Sequence, residues 1–249
     1  MEERPSLIAP VATAIVVVAA WWFLVPLLGI NPRYLPSLST VVADGLSIRS
    51  DLVAGFWRTF VETALGFLVG SLIGFAVGVV FAYIPILERA FLPILVAAQT
   101  IPVIAFGAIV VIWFGNTILA KVVIAFYLSF FPVTVATIRG LETVDRDREN
   151  LMRSFGASGR QIFLKLALPT ALPLIMVGLK IGVSFSLAGA IVGEFFGDTV
   201  GLGVLLIQAL YFEQVPRIWV LIVACAILGT IPYALLVLVE RRWVWWRAE

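Results

Sequence analysis

Apolar residues run almost unbroken through six stretches of the chain, roughly 7 to 30, 60 to 84, 91 to 114, 119 to 138, 173 to 196 and 218 to 239, and polar residues gather between them. Runs of about 20 apolar residues match the ~30 Å hydrocarbon thickness of a bilayer at ~1.5 Å per helical residue. They are far longer than the ~10 residues of a barrel strand, and in lipid every backbone N–H and C=O must be satisfied internally. The pattern therefore predicts an all-α fold, a polytopic membrane helix bundle with six transmembrane helices in a single domain over 1–249. The first run is longer than the apolar core of a cleavable signal and is expected to remain as a helix. A further apolar run at 201–212 is too short to span, which predicts an outer interfacial or re-entrant helix.

Composition closes off the soluble alternatives. With 62% hydrophobic and only 13% charged residues, the chain has more apolar surface than a water-soluble core can hide. A lone cysteine, Cys225, and the absence of histidine exclude intrachain disulfides, Cys/His metal sites and histidine relays, so no metal is expected. The net charge of +2 names no partner and gives no footprint for nucleic acid. Charge position is more informative. With the N-terminus inside, the inner flanks receive Arg4, Arg89, Arg139, Arg146, Arg148, Arg153, Arg160, Lys165, Arg241, Arg242 and Arg247; the outer flanks receive Arg33, Arg49, Arg58, Lys121 and Arg217. This excess predicts a multi-pass protein of the cell (inner or plasma) membrane with both termini cytoplasmic.

Spacing within the runs adds packing detail. Gly66, Gly70, Gly74 and Gly78 recur every four residues, placing four side-chain-free positions on one helix face, where a second backbone can approach. The pattern leaves open whether that second helix belongs to this chain or to another copy. Pro93, Pro102 and Pro132 fall inside the third and fourth runs and predict kinks.

The one polar, glycine-broken segment lies between the fourth and fifth runs, on the predicted cytoplasmic side. From Val144 to Phe155 it reads as a polar helix with Leu151, Met152 and Phe155 on one side. Gly156 can end that helix in the left-handed conformation, and Ser158 can cap a second short helix in which Ile162, Phe163 and Leu166 share a face. Pro169 and Pro173 are then expected to redirect the chain into the fifth span. Such an elbow suits a soluble docking partner; an amphipathic loop lying on anionic lipid fits its composition equally well.

Here the sequence resembles a family. Gly156, nine residues, Leu166, one residue and Leu168-Pro169 resemble the cytoplasmic loop of permease subunits of ATP-binding-cassette importers, which reads E-A-A, three residues, G, nine residues, I-x-L-P. Asn150-Leu151-Met152 stand where that family has Glu-Ala-Ala, with Glu149 one position away. G-L-E-T-V-D at 140–145, S-F-G-A-S at 154–158, L-P-T-A-L-P at 168–173, G-E-F-F-G at 193–197, F-F-P at 130–132 and Q-T-I-P at 99–102 are similar to the nitrate, sulfonate, taurine, pyrimidine-precursor and riboflavin-type branch. The resemblance implies a type I importer permease whose elbow, about 140–169, contacts the ATPase through Leu151, Met152, Phe155, Gly156, Ala157, Ser158, Leu166, Leu168 and Pro169. It also implies the partners: two ATPase chains carrying ATP and Mg, a second permease copy expected to be identical, and an external solute-binding protein. No cofactor is expected in this chain.

The residues agree with a non-enzymatic role. No G-x-x-x-x-G-K-[ST] phosphate loop occurs, so ATP hydrolysis is expected from another chain. A membrane enzyme would need a catalytic constellation, and none falls within the spans. A proton- or ion-coupled secondary transporter is the alternative, and it has no need of the elbow. Candidate pathway residues are Gln99, Thr100, Ser129, Thr134, Lys180, Ser184, Ser186 and Glu194, with Glu194 also placed to gate the path or meet the binding protein. Arg58 and Glu62, one turn apart, are expected to form a local ion pair. A mostly uncharged lining favours a neutral or weakly charged heterocyclic nutrient over a small anion, which would call for a ring of Arg or Lys.

Overall fold

The computed structural model describes residues 8–197, 199–244 and 246. Among them there is no strand. The elements are α1 (Ile8–Leu27), α2 (Leu38–Ser47), α3 (Arg49–Tyr83), α4 (Pro85–Gln99), α5 (Val103–Phe114), α6 (Ile118–Glu142), α7 (Arg146–Ser154), α8 (Gly159–Ile162), a π turn (Phe163–Ala167), α9 (Leu168–Glu194), α10 (Leu202–Tyr211) and α11 (Val215–Trp243).

Four helices are long and apolar enough to cross a bilayer: α3, α6, the unbroken helix 159–194 and α11. The pair α4 and α5, bent by 96°, has the apolar length of a fifth, as one broken span or a re-entrant loop. The apolar helix α1 occupies the position of the first predicted run. The bend falls at Thr100-Ile101-Pro102, and its chemistry is local. Pro102 has no N–H to continue the helix, the Thr100 hydroxyl turns back onto the Ala97 carbonyl at 2.7 Å, and the Tyr127 hydroxyl of α6 donates to the Ala98 carbonyl. Pro93, expected to kink, lies within α4 without interrupting it.

The glycines of α3 pack against α6 of the same chain, which settles the choice left open by their spacing. A Cβ at Gly66 would lie 2.3 Å from the Cβ of Ala125, and one at Gly70 would lie 2.1 Å from Ser129 Oγ. A second seam joins α6 to α9, where a Cβ at Gly178 would lie 2.4 Å from the Cβ of Ala136. Small residues are what membrane helices use to associate, since lipid supplies no hydrophobic drive between them. The central helix α6 is thus clasped on both sides, and its Ile124, Ala125 and Val133 are fully buried.

The fifth span also differs from its expected outline. Pro169 and Pro173 do not redirect the chain. Residues 159–194 form one continuous helix, and the five-residue π turn just before Pro169 absorbs the hydrogen-bond register that a proline disturbs.

Candidate functional site: a capped elbow and the buried polar groups of the bundle

The elbow is built from two reciprocal caps only a few residues apart. Asp145 caps α7, its carboxylate accepting from Asp147 N–H at 2.8 Å. The helix then ends with Gly156 at φ +80°, Gly156 N–H donating to the Arg153 carbonyl at 2.9 Å and Ala157 N–H to the Met152 carbonyl at 3.0 Å. That double closure is a Schellman motif, and it requires the left-handed residue that glycine supplies. Ser158 opens the next helix with a capping box: its N–H donates to Gln161 Oε1 at 2.7 Å and its Oγ accepts from Gln161 N–H at 3.4 Å. The angle between the two arms is therefore fixed by backbone geometry.

What the elbow presents is unusual for a polar helix. No residue of α7 is buried, yet Leu151 is 57% and Phe155 83% exposed. Met152 and Ala157 are half-buried on the inner side and Ser158 is exposed, while Leu166, Leu168 and Pro169 are half-buried where the second arm joins α9. Glu149 reaches Arg153 at 2.6 Å along α7. Behind α7, the inner ends of α3 and α6 leave a cavity of about 580 Å³ lined by Tyr83, Leu141, Glu142, Arg146 and Arg153. The elbow thus leaves Leu151 and Phe155 as bare apolar side chains beside a polar helix.

The candidate pathway residues separate into two groups. Ser129, Thr134 and Ser186 are fully buried in helix seams in this conformation, with no open lining to face. Ser129 Oγ lies 3.3 Å from the Gly66 carbonyl, Thr134 Oγ1 donates to the Phe130 carbonyl at 2.9 Å, and Ser186 Oγ donates to the Thr63 carbonyl at 2.9 Å. Membrane helices satisfy hydroxyls in this way because the surroundings offer no water. Thr100 and Ser184 are exposed and Gln99 is half-buried. Gln99 and Thr100 sit at the α4–α5 break; Ser184 lines a groove of about 360 Å³ with Lys180, Phe185 and Tyr233.

Lys180 is paired. Its Nζ donates to Glu240 Oε2 at 2.7 Å, with the two side chains 15% and 12% exposed, joining α9 to the inner end of α11. Glu240 had no signal in the sequence, because its partner lies 60 residues away on another helix. Lys180→Met removes a cation that Glu240 faces and is expected to cost about 1.5–3 kcal/mol, the range for a hydrogen bond to a charged group. The thermal midpoint of the detergent-solubilised protein reads this. Lys180→Met with Glu240→Leu should recover most of the loss, and an equal loss in the double variant would refute the ion-pair account.

Glu194 turns inward rather than towards the outer surface, and it is fully buried. It accepts from Thr59 Oγ1 and from Gly203 N–H, both at 2.6 Å, while Thr59 Oγ1 accepts from Leu202 N–H at 2.9 Å. Glu194 thus sits on the N-terminus of α10 and satisfies one of the N–H groups that a helix start leaves unpaired. Its neighbour Glu62 is paired with Arg58 at 2.7 Å, the local ion pair expected from their spacing. Lys121, also fully buried, donates to Asn116 at the outer end of α6. Glu194 and Thr59 together fasten the start of the short helix α10 to α9 and α3, a role that Thr59 gave no sequence cue for.

Known proteins are similar to this chain. Residues 66–245 match the model of the family described as the binding-protein-dependent transport system inner membrane component. The formylaminopyrimidine transport permease protein ThiX of Halalkalibacterium halodurans is 31% identical over 133 residues, 53% of each chain. The putative aliphatic sulfonates transport permease protein SsuC of Escherichia coli is 28% identical over 127 residues, 51% of this chain and 48% of that protein. The match thus spans about half the length of these relatives. Among solved structures, a chain of the MetNI methionine ABC transporter in an inward-facing conformation superposes with a TM-score of 0.64 over 80% of this chain and 96% of that one, at 23% identity, a likeness of fold. The unbroken apolar helices, the caps that fix the elbow and a family match across most of the chain converge: this chain belongs to the binding-protein-dependent transport system inner membrane component family, the permease subunits of ABC importers.

Proposed function

We propose that this permease forms half of a solute pathway, with a second identical copy forming the other half, and that its elbow couples the pathway to two ATPase subunits that carry ATP and Mg. The observation that carries this reading is the elbow itself: two rigidly capped arms holding Leu151 and Phe155 bare on a helix with no buried residue. An external binding protein delivers the solute, and both termini lie in the cytoplasm. Glu149, held by Arg153, takes the place of the acidic residue in the family's loop.

The solute is a neutral or weakly charged heterocycle. Gln99, Thr100 and Ser184 are the uncharged polar groups left accessible along the path, and the one basic side chain deep in a lining helix, Lys180, is already neutralised by Glu240 at 2.7 Å. An anion path would keep such a cation available. The pyrimidine named for ThiX fits this reading better than the sulfonates named for SsuC.

Affinity purification of the solubilised permease is expected to recover an ATPase subunit, and Phe155→Asp to reduce that recovery at least tenfold, since a charge replaces an apolar anchor. Uptake by the permease alone in ATP-free liposomes would sink the reading. A thermal-shift panel on the cognate binding protein checks the solute: stabilisation by alkanesulfonates or nitrate, with none by heterocycles, would reject that part and leave the importer assignment standing.

A further inference from the structure

A groove of about 550 Å³ lies at the elbow end of the bundle, where segments far apart in sequence meet. Arg148 comes to it from α7, Lys165 from the π turn, Thr170 and Pro173 from α9, and Trp246 from beyond α11. None of the described residues that line it is acidic. Lys165 is exposed and has no ion-pair or hydrogen-bond partner among the described residues. Arg148 reaches Asp145 only at 3.6 Å, with the two side chains 74% and 52% exposed, a solvated pair that contributes little. Two cations thus share one concave site with no carboxylate in its wall. Like charges repel, and an anion seated between them replaces that repulsion with attraction.

The groove is also graded along its length. After Lys165 the next charged residue of the helix is Lys180, so the wall passes from the last cation of the polar segment into an uncharged stretch, 166–179. Thr170 places a hydroxyl just past the cations, and Leu166, Pro169 and Pro173 make the rest of that wall apolar. Trp246, 43% exposed, stands beside them, and indole rings settle between headgroups and hydrocarbon. The π turn that carries Lys165 is itself a feature that concentrates at functional sites.

We propose that this groove binds an anionic phospholipid, its phosphodiester held by Lys165 and Arg148 and its glycerol ester region lying along Thr170, Pro173 and Trp246. Ammonium and guanidinium groups make charge-assisted hydrogen bonds to phosphate oxygens, and basic pockets between membrane helices hold lipid headgroups in this way. The order of the wall, from cations through a hydroxyl to apolar side chains, is the order of a lipid molecule from phosphate to acyl chain. A free phosphate shares the headgroup's chemistry but leaves the apolar part of the groove unfilled. Occupied, the site joins the first arm of the elbow, the start of α9 and the segment after α11 through one lipid. The proposal depends on neither the ATPase nor the solute.

The test is a thermal-midpoint titration of the full-length permease, delipidated in detergent, with dioleoyl phosphatidylglycerol, dioleoyl phosphatidylcholine or inorganic phosphate. Phosphatidylglycerol is expected to raise the midpoint saturably. Phosphatidylcholine, with the same chains and no net charge, and inorganic phosphate should leave it unchanged. Lys165→Gln with Arg148→Gln should raise the half-saturating phosphatidylglycerol concentration at least tenfold, with the lipid-free midpoint unaltered because both side chains are exposed. Arg241→Gln with Arg242→Gln removes the same charge from the end of α11, outside the groove, and should stay within twofold of the unaltered protein. Equal shifts in the two double variants overturn the site in favour of a diffuse surface attraction. A midpoint that phosphatidylglycerol does not raise, or that phosphatidylcholine or inorganic phosphate raises as much, overturns the lipid assignment. Where the Gln pair expresses poorly, Lys165→Gln alone should shift half-saturation at least threefold, and no shift there overturns the proposal as well.

Discussion

The Gly70→Val variant is expected to leave little folded permease in the membrane. Any Cβ at position 70 would lie 2.1 Å from Ser129 Oγ, 3.1 Å from the Phe126 carbonyl oxygen and 3.2 Å from the Phe130 nitrogen. Two of these neighbours are backbone of the central helix α6, so no rotamer change relieves them. Over-packing in a tight interior costs about 1–3 kcal/mol for a modest addition, and a branched side chain aimed at backbone exceeds that. Gly70→Ala separates the contributions. Its severest clash is with a side-chain oxygen, so Gly70→Ala with Ser129→Ala should melt at a higher temperature than Gly70→Ala alone. The oxygen removed makes only weak bonds, 3.3 and 3.1 Å long, so its loss costs little. Fluorescence-detected size exclusion and thermal midpoints in detergent report both effects. A midpoint for Gly70→Ala equal to that of the unaltered protein would show that α3 and α6 are not locked at this depth.

Gly156→Val is the opposite case, with a large effect on coupling and a small one on folding. A Cβ at position 156 meets nothing within 4 Å, so the site has room; the restriction is the +80° φ. Left-handed backbone costs an ordinary L-residue roughly 1–2 kcal/mol and a β-branched one more. The valine variant should therefore open the Schellman closure and change the angle between the arms, leaving the membrane helices intact. ATP-driven uptake is expected to fall at least tenfold at near-normal membrane yield. Gly156→Asn, which tolerates left-handed backbone, should keep most of the uptake. Full uptake by Gly156→Val would reject the elbow as the coupling element.

How far each feature could be read in advance depended on whether its cause was local. The caps of the elbow were legible because Gly156 and Ser158 act on backbone atoms within a few residues of themselves. The α3 seam was legible because helix periodicity puts every fourth residue on one face; the α9 glycines Gly178, Gly182, Gly189 and Gly193, which meet α6, are spaced less regularly and were not read in advance. The 96° break was only half visible. Prolines marked the right run, but the turn at Thr100 also depends on Tyr127 reaching across from α6. Long-range polar contacts were not legible at all. Nothing near Lys180 announces Glu240, and the G-E-F-F-G stretch gave no hint that Glu194 would turn away from the surface to Thr59 and the start of α10. In those pairs each side chain's environment is set by a helix that is distant in sequence.

The unbroken helix 159–194 makes the molecule a lever. At ~1.5 Å per residue its 36 residues extend for about 54 Å, with the elbow at one end and Glu194 at the other. For a rigid rod of that length, a tilt of about 5° at the inner end becomes a displacement of roughly 5 Å at the outer end. A modest swing of the two short arms, carried rigidly along this helix, would be magnified to a distance comparable with the width of a small solute by the time it reached the carboxylate that holds α10 in place.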